Sequence, residues 1–142
     1  MNTIYEVGIR YDKATDEGVR KVTESYILDA ASFTEAEKRI TEEISPFIRG
    51  DFRVISEKIT NVEEVITAPD SPAGTFYKIK HCFITLDEKS GKEKRRSQYI
   101  IIQAESADDA NNRYKKHIEG WISDTVLVAV SETKYLDYFP KK

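Results

Sequence analysis

Residues that bind metals or form disulfides are scarce in this sequence. Its 142 residues include one cysteine, Cys82, and two histidines, His81 and His117. A single cysteine cannot form a disulfide within the chain, and a structural zinc site takes four ligands that are mostly Cys and His. His81 and Cys82 are adjacent, so on a strand their side chains would point to opposite faces. We therefore predict no metal site and no cofactor.

Long apolar segments are also missing. The chain has no run of roughly 18 apolar residues, the length that spans a membrane. Its first residues, MNTIYEVGIRYDK, have neither the basic start nor the apolar stretch of a secretory signal. Together with the lone cysteine, which suits a reducing compartment, these features predict a cytoplasmic protein that does not associate with membranes.

Motifs that would indicate catalysis are absent as well. There is no Gly-x-x-x-x-Gly-Lys-Ser/Thr loop and no Gly-x-Gly-x-x-Gly fingerprint; KSGK at 89–92 resembles only part of the former. The acidic pairs Glu42-Glu43 and Glu63-Glu64 are adjacent in sequence, so their carboxylates diverge rather than share a cleft. We expect no enzymatic activity and assign no catalytic residue.

A repeated segment is the most informative feature that is present. DAASFTEAEKRI at 29–40 is followed 74 residues later by QAESADDANNRY at 103–114. Apolar residues recur in each copy at intervals of three, four and four, which is the pattern of one helix face. They are Phe33, Ala36, Ile40 and Ile44 in the first copy, and Ala107, Ala110, Tyr114 and Ile118 in the second. Ser32 and Ser106 each precede an acidic residue by three positions, so we interpret both as helix N-caps.

Strands are predicted on both sides of each helix. Alternating apolar residues upstream predict a hairpin, and Tyr5 to Tyr11 match Tyr77 to Phe83 at an offset of 72. His81 then takes the position of Ile9, which favours a hydrogen-bonded interior histidine. Segments 52–59 and 125–135 predict a strand after each helix. NVEEVI at 61–66 fits either an extension of that strand or a fourth strand.

These elements predict an α+β fold made by tandem duplication of a ββαβ unit. We expect an antiparallel sheet with helices packed on one side, and pseudo-twofold symmetry between the copies. The predicted repeats are 1–66 and 75–142, joined by the linker TAPDSPAG at 67–74, whose prolines and glycine interrupt regular structure. A unit of about 65 residues is only marginally stable alone, so the repeats are expected to form one compact domain.

The chain also resembles a known family. KVTESYILDAASFTEAEKRITEEISPFI and FITLDEKSGKEKR are similar to segments of an uncharacterised family, a domain of unknown function widespread in Bacteroidetes genomes and their phages. The spacing of Thr23, Glu24, Tyr26, Phe33 and Pro46 is distinctive, and the similarity covers almost the whole chain. This resemblance implies a phage or mobile-element context, and it carries no catalytic motif.

Positive charge is concentrated in the second half of the chain. Residues 1–71 contain nine basic and fifteen acidic residues, whereas residues 72–142 contain thirteen basic and ten acidic ones. The second hairpin contributes the ligand-binding residues that we predict, namely Lys78, Lys80, Arg95, Arg96 and Tyr99. Its loop is expected to contain Lys89, Lys92, Lys94 and Arg96. Cations beside an aromatic ring can hold a phosphate and stack a base. A hairpin that is charged only for solubility and edge protection is the competing interpretation.

The leading functional hypothesis is a non-catalytic binding protein for a small phosphate-bearing ligand such as a nucleotide, acting as a homo-oligomer. A more specific version of this hypothesis is a phage-type protein that sequesters a nucleotide signal of host defence. One alternative is a single-stranded nucleic-acid-binding accessory protein, which the overall acidity of the chain disfavours. The other alternative is a protein–protein interaction module that uses the difference in charge between the two halves.

Overall fold

A computed structural model describes residues 3–141 of the chain. Within them the element order is β1 (Thr3–Thr15), β2 (Gly18–Ala30), α1 (Phe33–Ile44), a 3-10 turn (Ser45–Phe47), β3 (Phe52–Ile59), β4 (Val62–Ile66), β5 (Thr75–Leu86), β6 (Glu93–Ala104), α2 (Ala107–His117), β7 (Thr125–Glu132) and β8 (Tyr135–Phe139). Neither helix in this part of the chain is long and apolar enough to cross a membrane.

The chain divides into two compact units. Unit 1 consists of Met1–Thr60 together with Lys134–Lys142, and unit 2 is the continuous segment Asn61–Thr133. The sheet of unit 1 has the strand order β3-β1-β2-β8, and the sheet of unit 2 has the order β4-β6-β5-β7. One pairing in each sheet is parallel, between β2 and β8 and between β4 and β6, and the others are antiparallel.

The core of unit 1 is formed where α1 packs on the long β1–β2 hairpin. Because side chains alternate between the two faces of a strand, every second residue of β1 and β2 points toward the helix. The buried residues of that strand surface are Tyr5, Val7, Ile9, Tyr26, Leu28 and Ala30. The helix contributes Ala36, Ile40 and Ile44 at helical spacing. Burying each large aliphatic side chain contributes roughly 1.5–3 kcal/mol, so this contact stabilises both elements.

Unit 2 has the same construction, with α2 on the β5–β6 hairpin. Its buried strand residues are Tyr77, Ile79, Ile100, Ile102 and Ala104, and its buried helix residues are Ala110 and Tyr114. Ser32 and Ser106 cap the helices, each accepting a hydrogen bond from the N–H three residues later, at 3.1 Å and 3.0 Å. The acidic residue at that third position reaches back one residue beyond the cap, to the N–H of Ala31 or Glu105.

The α+β class, the two hairpins and the helix covering one face of each sheet agree with the sequence analysis. The structure differs in having four strands on each sheet, of which β4 and β8 pair in parallel, where we expected antiparallel pairing only. Thr60 ends β3 by donating its N–H and hydroxyl to the carbonyl of Ile4, and Thr133 does the same after β7 with Phe76. After Thr60 the chain continues into β4, which belongs to unit 2, and after Thr133 it continues into β8, which belongs to unit 1. The boundaries of the compact units therefore differ from those of the predicted repeats.

The predicted linker, residues 67–74, contains no helix or strand but is held in place within unit 2. The Gln103 side chain accepts a hydrogen bond from the N–H of Ala68 and donates to the carbonyls of Pro72 and Gly74. Gly74 is needed here because a Cβ atom would lie 2.8 Å from the backbone oxygen of Ala104. The segment is therefore an ordered strap across the end of β6.

Arg113 on α2 fastens the same segment. Its guanidinium donates to both carboxylate oxygens of Asp70, at 3.1 Å and 2.8 Å, and through Nε to Asp109, at 2.8 Å. Hydrogen bonds from Arg113 lower the pKa of Asp70, and bonds from the Glu105 N–H and from Arg113 lower the pKa of Asp109. Both carboxylates thus favour the folded state when they are ionised.

We predict an acid-sensitive stability of unit 2 that depends on Arg113. A carboxylate with a lowered folded-state pKa contributes stability above its unfolded value of about 4, and the contribution is lost as the pH falls through the folded value. Replacing Arg113→Gln should therefore flatten the decline of the thermal midpoint between about pH 5 and pH 2. The midpoint is followed by the fluorescence of the single tryptophan, Trp121, and Lys115→Gln on the exposed face of α2 is the control. Parallel pH profiles for the wild type and Arg113→Gln would contradict this role.

Candidate anion-binding site

The predicted ligand-binding residues lie on the β5–β6 hairpin, whose register decides which of them share a face. Lys80 is directly opposite Tyr99, and Lys78 is directly opposite Ile101. Opposed residues of an antiparallel pair have neighbouring side chains on the same face. Lys78, Lys80 and Tyr99 therefore lie together, on the face opposite to the one that packs against α2.

The two lysines converge on the tyrosine. Lys78 Nζ lies 4.8 Å from the centroid of the Tyr99 ring, and Lys80 Nζ lies 5.9 Å from it. All three residues are half-buried. None of the ion pairs found among residues 3–141 includes Lys78 or Lys80. Two positively charged groups thus lie near one aromatic ring, and neither has a carboxylate partner among the described residues.

The two predicted arginines are placed differently. Arg95 is opposite Ile84 and shares the face of Tyr99, but it is exposed near the hairpin end, with Nε 3.7 Å from Glu93. Arg96 is opposite Phe83 on the other face, and its guanidinium carbon lies 4.9 Å from the centroid of the Phe83 ring. The five predicted residues therefore do not form one cluster, because adjacent residues of a strand point to opposite faces.

The hairpin loop is shorter than the sequence suggested. Lys94 and Arg96 belong to β6, and only Lys89 and Lys92 lie in the loop. Asp87 shapes that loop by accepting hydrogen bonds from the N–H of Lys89 and the hydroxyl of Ser90. Lys94 Nζ is 3.9 Å from Asp87, an exposed pair that contributes little stability. The loop lysines are exposed and distant in register from Lys78 and Lys80.

His81 is an interior, hydrogen-bonded residue, as predicted. Its Nε2 lies 2.5 Å from Gln98 Oε1, and its Nδ1 lies 2.9 Å from the Tyr114 hydroxyl. An amide oxygen only accepts hydrogen bonds, so Nε2 donates to Gln98, and Nδ1 is hydrogen-bonded to the Tyr114 hydroxyl. The ring also contacts Phe83 and Trp121, with centroid distances of 5.2 Å and 6.1 Å. This histidine is part of the core of unit 2.

A second polar group beneath a helix was missed by the sequence analysis. Glu24 lies on the face of β2 that points toward α1, where the alternation of Val22, Tyr26 and Leu28 calls for an apolar residue. A single acidic residue at one of the alternating apolar positions of a predicted strand is the signal that would have revealed this group. Glu24 accepts a hydrogen bond from the Tyr26 hydroxyl at 3.2 Å and lines a cavity in unit 1.

Potential metal ligands are not clustered in the described part of the chain. Within residues 3–141, no group of three or more His, Cys, Asp or Glu side chains is arranged to hold a metal ion. His117 at the end of α2 has one carboxylate neighbour, Glu64, at 3.2 Å from Nε2. The described part of the chain therefore offers a basic hairpin face and an acidic cavity as its candidate sites.

These features define an α+β protein with two four-stranded sheets and two half-buried lysines that converge on a tyrosine ring of the β5–β6 hairpin. Residues 3–141 match the family described as Domain of unknown function (DUF4494), and the chain belongs to that family. A comparison with curated proteins gives no significant match. The predicted membership of an uncharacterised family is thus confirmed, while the distribution of that family in Bacteroidetes and phages stays a prediction.

We predict that Tyr114→Phe destabilises unit 2 by about 1–3 kcal/mol, because the buried Nδ1 of His81 loses its hydrogen-bond partner. The measurement is urea unfolding followed by Trp121 fluorescence. The double variant Tyr114→Phe/His81→Ile removes both groups of that bond and places isoleucine where unit 1 has Ile9. The amide of Gln98, which loses His81, is half-buried and can bond to water instead, so the double variant should recover at least half of the loss. A double variant as unstable as Tyr114→Phe alone would contradict this explanation.

Proposed function

We propose that this protein is a non-catalytic binding protein for a small phosphate-bearing ligand, with Lys78, Lys80 and Tyr99 at the centre of its site. The observation that carries the proposal is the convergence of two ammonium groups on one aromatic ring. Neither lysine is in an ion pair with any residue from 3 to 141.

Electrostatics favours an anion at this place. Two like charges near one ring repel each other, and partial burial strengthens the repulsion because water screens it less. A phosphate group carries opposite charge and several acceptor oxygens, so it can accept hydrogen bonds from both ammonium groups at once. Each hydrogen bond to a charged group contributes roughly 1.5–3 kcal/mol. The ligand would supply the counter-charge that the described residues lack.

Tyr99 has a different role here from the one expected from the sequence. Its π surface is in contact with the two ammonium groups, which are attracted to the ring by its quadrupole. The ring therefore positions the lysines, and a base can stack on it only by displacing them. Recognition of the phosphates should consequently outweigh recognition of a base.

A nucleotide is the ligand class that we retain from the sequence analysis. The more specific version, a phage-type protein that sequesters a nucleotide signal of host defence, rests on the family resemblance and on analogy with function in other small proteins. The acidic phosphates of such a signal are the part that Lys78 and Lys80 would hold.

Calorimetric titration with ATP and with inorganic tripolyphosphate tests this proposal. Both ligands should bind with similar affinity, and Lys78→Gln/Lys80→Gln should weaken both by at least about tenfold, the loss expected for one charge-assisted hydrogen bond. The matched control is Lys89→Gln/Lys92→Gln, which removes the same charge from the exposed loop. Equal weakening by the two double variants, or no binding by the wild type at about 10 mM ligand, would refute the proposal.

A second candidate function is binding of single-stranded nucleic acid. The observation in its favour is the contact of the exposed Arg96 with the half-buried Phe83, in which a cation lies over a ring on the other face of the hairpin. Single strands are commonly held by such cationic and aromatic surfaces. Tight retention of oligothymidylate that weakens steeply with salt, and that Arg96→Gln abolishes, would favour this function over the first.

We also infer that the two halves of the chain arose by duplication of one ββαββ module. Support comes from the shared strand order and from matching side chains: Arg39 donates to the carbonyl of Pro140 after β8, as Arg113 fastens Asp70 after β4. Arg39 and Arg113 are separated by the same 74 residues as the helices. The predicted pseudo-twofold symmetry, the homo-oligomer and the role as an interaction module stay predictions.

A further inference from the structure

Unit 1 contains a cavity whose chemistry is opposite to that of the lysine site. Its volume is about 240 Å³, and its walls come from β1, β2, the 3-10 turn and β8. The aromatic and acidic residues that line the cavity are Tyr11, Glu24, Tyr26, Phe47, Asp137 and Phe139. No Lys or Arg among residues 3–141 lines it. The cavity therefore combines aromatic walls with two carboxylates.

Glu24 has a neutral hydrogen-bond partner and no ion pair with any residue from 3 to 141. The Tyr26 hydroxyl donates to its Oε1 at 3.2 Å. Burial and the neighbouring carboxylate raise the pKa of Tyr26 and that of Tyr11, so both phenols stay protonated and serve as donors. None of the ion pairs in the described segment includes Glu24 or Asp137. A half-buried carboxylate whose described partners are neutral donors lacks a counter-charge, which a cationic ligand would supply.

The rim of the cavity is apolar and exposed. Phe47 is 82% exposed and Leu136 is 55% exposed. Inside, the Phe139 ring stacks on Tyr26 with a centroid distance of 5.7 Å. Large apolar side chains left in water beside a cavity are typical of a surface that a ligand covers. The ligand should thus have a hydrocarbon part in addition to its charge.

Unit 2 shows that the carboxylate is not required by the fold. Gln98 is directly opposite His81 on its sheet, and the two are hydrogen-bonded to each other. Glu24 has the equivalent place in unit 1, directly opposite Ile9, which offers it no polar group. The histidine ring that fills the core of unit 2 therefore has no counterpart beside Glu24, and the Glu24 carboxylate borders the cavity instead.

From these observations we infer that the unit 1 cavity binds an alkylammonium group, with the ammonium on Glu24 and the alkyl chain between Phe47 and Phe139. Carboxylates form charge-assisted hydrogen bonds with ammonium donors, and aromatic faces attract cations. The volume is somewhat below the roughly 300–1,000 Å³ of sites for drug-sized molecules, so a small amine or one lysine side chain suits it. This site is separate from the proposed phosphate site and does not depend on it.

Chemical-shift titration of the full chain with n-butylammonium, 1-butanol and n-butyrate tests the inference. We expect n-butylammonium to bind with a Kd of about 1 mM and to shift resonances of Tyr11, Tyr26 and Phe139, while the isosteric alcohol and carboxylate bind at least about tenfold more weakly. Butanol or butyrate binding as tightly as the amine would overturn it, as would the absence of these shifts at about 50 mM amine.

Variants decide whether the carboxylate is responsible. Glu24→Gln, which copies Gln98 of unit 2, should weaken n-butylammonium binding by at least about tenfold. Glu42→Gln, on the exposed face of α1, removes the same charge and should leave binding unchanged. If Glu24→Gln does not fold, the exposed Asp137→Asn replaces it, with a smaller but measurable loss expected. Unchanged affinity in the folded variant would overturn the inference.

One further titration distinguishes two sources of the ammonium group, a lysine side chain of a protein and a free amine. Nα-acetyl-lysine methylamide presents the ammonium as a protein does, whereas n-butylammonium presents it as a free amine. Tighter binding of the lysine derivative assigns the site to a lysine side chain of a protein, and tighter binding of n-butylammonium assigns it to a free amine. Binding of neither would overturn the inference.

Discussion

The parallel pairing of β8 with β2 is the interaction on which unit 1 depends. It brings the end of the described chain to the edge of a sheet that begins at Thr3. The Tyr138 hydroxyl donates to Asp29 Oδ2 at 2.8 Å, and Arg39 donates to the carbonyls of Asp29 and Pro140, so side chains reinforce the pairing. Phe139 and Asp137 then form one wall of the acidic cavity, which exists only because this strand is in place.

The two units use the same strand positions for different chemistry. Beneath α2, a histidine fills the space and is hydrogen-bonded to an amide and to a tyrosine hydroxyl. Beneath α1, the equivalent positions hold Ile9 and Glu24, and the Glu24 carboxylate lines a cavity. On the opposite face of the β5–β6 hairpin, Lys78 and Lys80 gather positive charge. The repeated framework thus accepts polar residues even at positions that face a helix, where each unit surrounds them with different partners.

Much of the site could be derived from local rules. Alternation along β5 and β6, together with the hairpin register, puts Lys78, Lys80 and Tyr99 on one face, and serine spacing correctly located both helix caps. The same alternation separates Arg95 from Arg96, which lie on opposite faces. The contact of both ammonium groups with the Tyr99 ring was not derivable, because the rotamers of long side chains follow from their surroundings and not from strand periodicity.

The hairpins, the helices and their caps follow from the order of residues, because each depends on contacts within one turn or between neighbouring strands. The partners of β4 and β8 were decided by the folded structure. Strands of five residues such as Val62–Ile66 and Tyr135–Phe139 contain too little pattern to specify a distant partner. They pair where β6 and β2 offer a free edge, and the cavity beside Glu24 arises from that choice.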